Sequence, residues 1–119
     1  MTNITPPPTE NLPILQKLSS AYLLWQNFWP HLPRLTRYSL GNKIDILFTD
    51  TLELVLLTKY SSKENKLPLL NKAAARFDSL KFFLQVLWQA KGLDNKKYLQ
   101  LSETLTEIGK MLGGWRRQF

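Results

Sequence analysis

The segment from Pro30 to Leu57, PHLPRLTRYSLGNKIDILFTDTLELVLL, decides the fold of the chain. Pro30 and Pro33 lack a backbone N–H and disfavour helical geometry in the residue before them, so no helix runs straight through. One helix must therefore end near Trp29, and the next must begin near Pro33. Beyond Gly41 apolar residues recur at steps of three and four, which is one face of a long helix.

Apolar residues recur at the same steps before and after this segment, and no alternating strand pattern is present. The sequence therefore predicts an all-α chain. Asn11 and Asp94 are the expected N-caps, and Gly92 is the expected terminator of the third helix, which carries Pro68 in its first turn. Four helices joined by short turns predict an antiparallel up-down four-helix bundle over residues 11–119. Residues 1–10 are predicted to be a disordered, proline-rich tail. The helices are expected at about residues 12–29, 33–61, 67–91 and 95–112.

Composition and charge narrow the range of functions. The 119 residues are enough for one domain with its own core, and the lack of cysteine excludes disulfides and thiolate metal sites. The net charge of +7 lies wholly after residue 33, which favours a polyanion or an acidic partner. The chain has no signal-peptide pattern and no apolar run long enough to cross a membrane, so we expect a cytoplasmic protein without a membrane partner.

Few residues are suited to catalysis. His31 is the only histidine and lies between two prolines, with no cysteine or carboxylate near it in sequence. Asp45, Asp50 and Glu53 lie on or near one helix side and could hold Mg²⁺, but a solvated helix face is the favoured interpretation. The phosphate-binding glycine motif is also missing. We therefore predict no enzymatic activity, no catalytic residue, no metal and no cofactor.

Basic residues are the better candidates for function. They lie close to the aromatic residues Tyr38 and Trp115, a combination that suits phosphate contacts with occasional base stacking. The alternatives are that these cations only solubilise the surface and that Trp115 belongs to the core, where it continues the apolar stripe of the fourth helix. The residues predicted to bind nucleic acid or a protein partner are Arg34, Arg37, Lys66, Lys72, Arg76, Lys81, Arg116 and Arg117.

A second apolar face is predicted on the third helix. At about 100° per residue, Phe82 points almost directly away from the centre of the core stripe, and Phe83 and Val86 lie beside it. One exposed phenylalanine is unremarkable, but three neighbouring apolar residues indicate an interface. We therefore predict that Phe82, Phe83 and Val86 mediate self-association.

Several motifs resemble one protein family. They are Leu32-Pro33-Arg34 followed by Arg37-Tyr38-Ser39-Leu40-Gly41, then LKFFL at residues 80–84, and EIGKMLGGW at residues 107–115. Their order and spacing resemble the accessory variability proteins of diversity-generating retroelements, a branch of the bacterial four-helix-bundle proteins. The runner-up is the four-helix-bundle protein encoded in intervening sequences of ribosomal RNA genes, whose usual Asn-Ile-Ala-Glu-Gly-type segment is missing here.

The resemblance implies a non-enzymatic partner of a reverse transcriptase. Family members assemble as homopentameric barrels with a basic surface, bind the reverse transcriptase and nucleic acid, and support mutagenic copying of template RNA into cDNA. Members can carry two basic residues spaced by four on the third helix, where this chain has Lys81 and Gln85. Lys81 is therefore expected to matter more, with Arg76 as its nearest cationic support. The alternative from another class is a structural or regulatory oligomer that binds only protein.

Overall fold

The computed structural model describes residues 12–119, which lie in helices, in the short connections between them, or just before the first and after the last helix. The predicted tail at residues 1–10 and the predicted cap Asn11 lie outside the described residues. The helices are α1 Pro13–Phe28, followed by the 3₁₀ turn Trp29–His31, α2 Arg34–Tyr38, α3 Leu40–Tyr60, α4 Lys63–Gln89 and α5 Asn95–Arg116.

The four long helices form a ring around one apolar core. In this ring α1 packs on α3 and α5, and α4 packs on α3 and α5 from the other side. Lys17 pairs with Glu107, whereas Phe28 at the other end of α1 lies beneath Lys97, so α1 and α5 run antiparallel. The largest fully buried side chains include Trp25, Phe48 and Phe77. The prediction of an all-α four-helix bundle is confirmed for the described residues.

The single helix expected over residues 33–61 is interrupted at Ser39. The backbone there adopts φ −112° and ψ −91°, outside the helical region, and the Ser39 hydroxyl donates to the carbonyl of Leu35 at 2.8 Å. The break lets the start of α3 approach the preceding turn closely. A Cβ on Gly41 would lie 3.1 Å from Leu32 and 3.2 Å from Trp29, so glycine fits here because the space is taken.

The third predicted helix starts earlier than expected. α4 begins at Lys63 rather than near residue 67, so Pro68 lies inside it. Proline removes the hydrogen bond to the carbonyl four residues earlier, that of Glu64. Because Glu64 and Pro68 are both exposed, water can satisfy that carbonyl and the helix tolerates the proline.

The end of α4 uses Lys91, not Gly92, for the left-handed turn. Lys91 has φ 64°, and the amides of Lys91 and Gly92 donate to the carbonyls of Trp88 and Leu87 at 2.9 and 2.8 Å. This is the paired hydrogen-bond pattern of a Schellman motif. Gly92 is required for space, because a Cβ there would lie 2.3 Å from the Leu87 Cδ1 atom.

The last helix is longer than expected. Its N-cap is Asp94, as predicted, and the Asp94 carboxylate accepts a hydrogen bond from the Lys97 amide at 2.8 Å. The helix continues through Gly113 and Gly114 to Arg116, so these two glycines do not end it. Gly113 lines a pocket between α4 and α5, whereas Gly114 lies beside the start of α1.

Candidate functional site

Two surface grooves run along opposite sides of α4. The α3–α4 groove has a volume of about 480 Å³. The α4–α5 groove consists of two pockets of about 400 and 320 Å³ that share Asp78, Lys81 and Thr106 and are therefore continuous. Both grooves contain residues that were predicted from the sequence to bind a partner. The two grooves differ, however, in net charge.

The α4–α5 groove carries excess positive charge. Lys81, Lys110 and Arg116 line it, and Asp78 is the only acid among its lining residues, which leaves a formal charge of +2. The Lys81 ammonium lies 3.7 Å from the Asp78 carboxylate, and both side chains are exposed, so this pair contributes little to stability. The Arg116 guanidinium donates to Asn71 Oδ1 through Nε at 3.2 Å and Nη2 at 2.9 Å, which fixes it at one end of the groove.

Small residues on α5 hold this groove open. Thr106, Gly109 and Gly113 follow at helical spacing and face α4. A Cβ on Gly109 would lie 3.3 Å from Cε2 of Phe77 and 3.9 Å from Nζ of Lys81, so the glycine leaves room for both. The Lys81 ammonium lies 5.2 Å from the centre of the Phe77 ring. The floor is therefore a buried aromatic ring with a cation above it.

The α3–α4 groove is formally neutral. Lys72 and Arg76 from α4 share it with Asp50 and Glu53 from α3, and the remaining lining includes Leu54 and Leu57. Sequence reasoning paired Arg76 with Lys81, but the structure places them on opposite sides of α4, since each helical residue turns by about 100°. The cation that accompanies Lys81 is Lys110, which the sequence reasoning missed.

The sequence does contain a periodic signal for the groove in which Lys110 lies. Residues 102, 106, 109 and 113 are Ser, Thr, Gly and Gly, and Arg116 continues the same face. A small-residue face on an otherwise amphipathic helix indicates a close neighbour or a groove. Only the structure shows that α4 covers this face incompletely and places Lys81 across from it.

The other predicted cations have separate positions. The Lys66 ammonium donates to the carbonyls of Thr58 and Lys59 at 2.8 and 3.2 Å, so it caps the end of α3. Arg37 donates to the Leu32 carbonyl at 3.2 Å, and Arg34 is exposed at the first position of α2. Arg117 lies against the surface of α5 beside Gly113 and Gly114.

The aromatic candidates also differ in exposure. Phe82 is 59% exposed, whereas Phe83 and Val86 are half-buried and Phe83 packs against the core beneath the Lys43 ammonium. Tyr38 is exposed beside the Arg37 guanidinium. Trp115 is half-buried against the core. The outward apolar surface of α4 is thus centred on Phe82 alone.

The acids singled out as a possible Mg²⁺ site do not converge. The Asp45 carboxylate faces α1 and accepts from Trp25 Nε1 at 3.2 Å and Gln26 Nε2 at 2.8 Å. Asp50 and Glu53 line the α3–α4 groove instead. Among residues 12–119 no three His, Cys, Asp or Glu side chains are grouped to hold a metal ion.

Two ionisable groups are perturbed by packing contacts between helices. Burial, together with a hydrogen bond to Asp45, raises the pKa of the Tyr22 hydroxyl above its ordinary value. The hydrogen bond from Lys17 lowers the pKa of the exposed Glu107 carboxyl. Neither group lines a groove beside α4, but the groove cation Lys110 also helps to lower the Glu107 pKa.

Comparison with known proteins gives a family and a fold. A family described as bAvd-like matches residues 14–119. A solved protein of unknown function from the S23 ribosomal protein family of Bacteroides thetaiotaomicron has a similar structure, with a TM-score of 0.78 at 16% identity over 87% of this chain and 97% of that one. No curated protein matches the chain significantly. Within the described residues, no helix is long and apolar enough to span a membrane.

Proposed function

The chain belongs to the bAvd-like family, and from this premise we propose that it is a non-enzymatic accessory protein of a retroelement reverse transcriptase. It binds the polymerase and RNA or DNA through a basic surface, and so supports mutagenic cDNA synthesis from template RNA. The observation that carries the proposal is the uncompensated charge of the α4–α5 groove, where Lys81, Lys110 and Arg116 face a single acid.

Exposed cations that outnumber the acids lining the same groove are suited to phosphate. Each phosphate contact releases condensed counterions, which gives affinity without sequence preference and makes it strongly dependent on salt. Cations contribute less where acids in the same groove match them in number, or where main-chain carbonyls hold them, because their charge is then compensated within the protein. On this reasoning Lys81, Lys110 and Arg116 contribute most to the interface. Arg34 and Arg117 add exposed charge at its margins, and Lys66 contributes little.

The test compares two double variants on opposite faces of α4. Lys81→Ala with Lys110→Ala removes two charges from the α4–α5 groove, and Lys72→Ala with Arg76→Ala removes two from the α3–α4 groove. Affinity for unrelated RNA and DNA sequences is measured by fluorescence anisotropy across a salt series. We expect the first variant to reduce the magnitude of the log–log salt slope by about 2, or about 1 for each lost phosphate contact. The second should change it little.

The two variants carry the same change in net charge, so a non-specific loss of electrostatic attraction would affect both equally. That outcome would remove the α4–α5 groove from the interface. The same proteins are then added to the purified cognate polymerase, and association is measured by co-sedimentation. Unchanged binding of the first variant to polymerase and nucleic acid alike would contradict the proposal.

The family resemblance also supports self-association, and we include a homopentamer in the proposal. Light scattering coupled to size exclusion measures the particle mass directly. A monomer at micromolar concentration would exclude the pentamer but would leave the groove argument in place. The two parts of the proposal are therefore tested separately.

A second candidate is a structural or regulatory oligomer that binds only protein. The neutral α3–α4 groove favours it, because Leu57 and the neighbouring Tyr60 are exposed beside balanced charges. This surface is suited to a protein partner and less suited to a polyanion. Weak salt dependence, with no nucleic-acid binding, would favour this second candidate.

A further inference from the structure

The geometry points to single-stranded nucleic acid as the ligand of the α4–α5 groove, with its phosphates on Lys81, Lys110 and Arg116 and one unpaired base stacked on Phe82. This inference rests on the proposed function and adds the strand form that the site selects. It also gives Phe82 a ligand-binding role, where the sequence alone indicated a contact between copies of the chain.

Phe82 is placed to act as a base platform. It lines the same pocket as Lys81 and Gln85, and 59% of its surface is exposed. Its ring contacts Phe83 edge-to-face, with centroids 5.3 Å apart and an angle of 77° between the rings. Phe83 is half-buried and packs on the core, so Phe82 is braced on one side and open on the other.

The groove arranges charge and aromatic surface in a definite order. Arg116 is fixed beside Asn71 at one end, Lys81 lies where the two pockets join, and Phe82 and Gln85 line the other end. Residues 71 and 85 of α4 are separated by roughly 21 Å at about 1.5 Å per residue. A ligand that uses the whole groove therefore presents anionic groups and an accessible planar apolar group within about that length.

This order favours a single strand over a duplex. In a duplex the bases are paired and stacked inside, so an exposed side chain of α4 reaches phosphates but not the face of a base. In a single strand each base is free to turn toward the protein beside its own phosphate. Stacking on an aromatic side chain accepts any base, which agrees with the lack of a base-reading motif.

Four probes of one length separate the contributions of phosphates and bases. They are a single-stranded RNA, a single-stranded DNA of the same sequence, the corresponding DNA duplex, and a DNA strand with abasic sites that keeps every phosphate. Each is titrated by fluorescence anisotropy with the full chain. The variants are Phe82→Ala, Phe82→Leu and Phe82→Trp. Leu23→Ala is the control, because Leu23 is 64% exposed on α1 and lies outside the groove.

We expect Phe82→Ala to weaken binding of both base-containing single strands by about 5- to 150-fold, the range that corresponds to loss of one stacked base. Binding of the abasic strand and of the duplex should stay unchanged. Phe82→Trp should bind like the unmodified chain because it keeps a π-face, whereas Phe82→Leu should behave like Phe82→Ala. Leu23→Ala should alter none of the four affinities. RNA and DNA strands should respond alike.

Each contrary result has a distinct meaning. The inference is overturned if the chain binds single strands and duplex with equal affinity and Phe82→Ala changes none of the affinities. The proposed function would then still stand. No binding of any probe overturns both. A lower particle mass for Phe82→Ala in light scattering, with abasic and base-containing strands weakened equally, shows that Phe82 joins copies of the chain and also overturns the inference.

Discussion

Lys72 and Arg76 line one side of α4 together with Asp50 and Glu53. On the other side Lys81 is joined by Lys110 and Arg116, and Asp78 is the sole acid that lines this groove. The same helix thus separates a balanced groove from a positively charged one. Counts of basic residues along the chain do not reveal this difference. What matters for attraction of a polyanion is the charge left after neighbouring acids have been counted.

The grooves also differ in how they are formed. The α3–α4 groove lies between larger side chains such as Leu54 and Leu57, with apolar surface left on its wall. The α4–α5 groove exists because Gly109 and Gly113 have no side chains to fill it, and the buried Phe77 ring lies directly beneath Gly109. The shape of this groove therefore depends on how the core packs, and its charge depends on the exposed residues Lys81, Lys110 and Arg116.

The largest expected effect follows removal of the groove floor. Phe77 is buried and belongs to the core, so Phe77→Ala should lower the free energy of unfolding by about 3–5 kcal/mol. Urea denaturation followed by circular dichroism measures the loss. Lys81→Ala with Lys110→Ala should leave the unfolding free energy nearly unchanged, since both side chains are exposed. A large loss of stability in that double variant would show that Lys81 and Lys110 also stabilise the fold.

A smaller effect is expected at Lys66, which sequence reasoning grouped with the binding cations. Its ammonium caps the carbonyls of Thr58 and Lys59, so Lys66→Ala should destabilise the protein by about 1 kcal/mol. The salt slope for nucleic acid should stay the same. Lys63→Ala is the matched control, because Lys63 is exposed at the start of α4, where a cation is not favoured. A shallower salt slope for Lys66→Ala would place Lys66 in the interface after all.

The fold was predictable because it depends on patterns within single helices. Apolar spacing gave the all-α bundle, and Asp94 was recognisable as a cap from its position before a periodic segment. The interruption at Ser39 was not predicted, since residues 33–61 are compatible with one helix by propensity. The break accompanies the close approach of Gly41 to Leu32 and Trp29, and that approach exists only after the chain has folded.

The candidate site was less predictable because it depends on which helices face each other. Lys81 and Arg76 are close in sequence, and periodicity alone did not show which neighbour each would face. Lys110 lies 29 positions from Lys81 and joins it only through the packing of α5 on α4. Similarly, the role of Lys66 as a cap depends on the tight connection between α3 and α4. The residue types indicated that basic side chains bind the partner, but the packing of the helices determines which of these side chains share one groove.

Removing the acids of the neutral groove would give it the charge of the positive one. Asp50→Asn with Glu53→Gln removes both acids from the α3–α4 groove and leaves Lys72 and Arg76 with a formal charge of +2. If residual charge decides where a polyanion binds, affinity at low salt should rise by up to about tenfold, with a steeper salt slope. Isothermal titration also reports stoichiometry, which should increase. No change in affinity or stoichiometry would show that shape, not charge, distinguishes the grooves.

The smallest expected effect concerns the two glycines that open the α4–α5 groove. A Cβ on Gly113 would meet only Arg117 at 3.6 Å, an ordinary contact, so Gly113→Ala should stabilise the protein by about 0.5 kcal/mol through helix propensity. A Cβ on Gly109 would lie 3.3 Å from Phe77, so Gly109→Ala should gain less, because the ring must shift. Thermal and urea unfolding of both variants measure the difference. If Gly109→Ala proves the more stabilising variant, Phe77 yields easily, and the glycine there is not needed to make room for the ring.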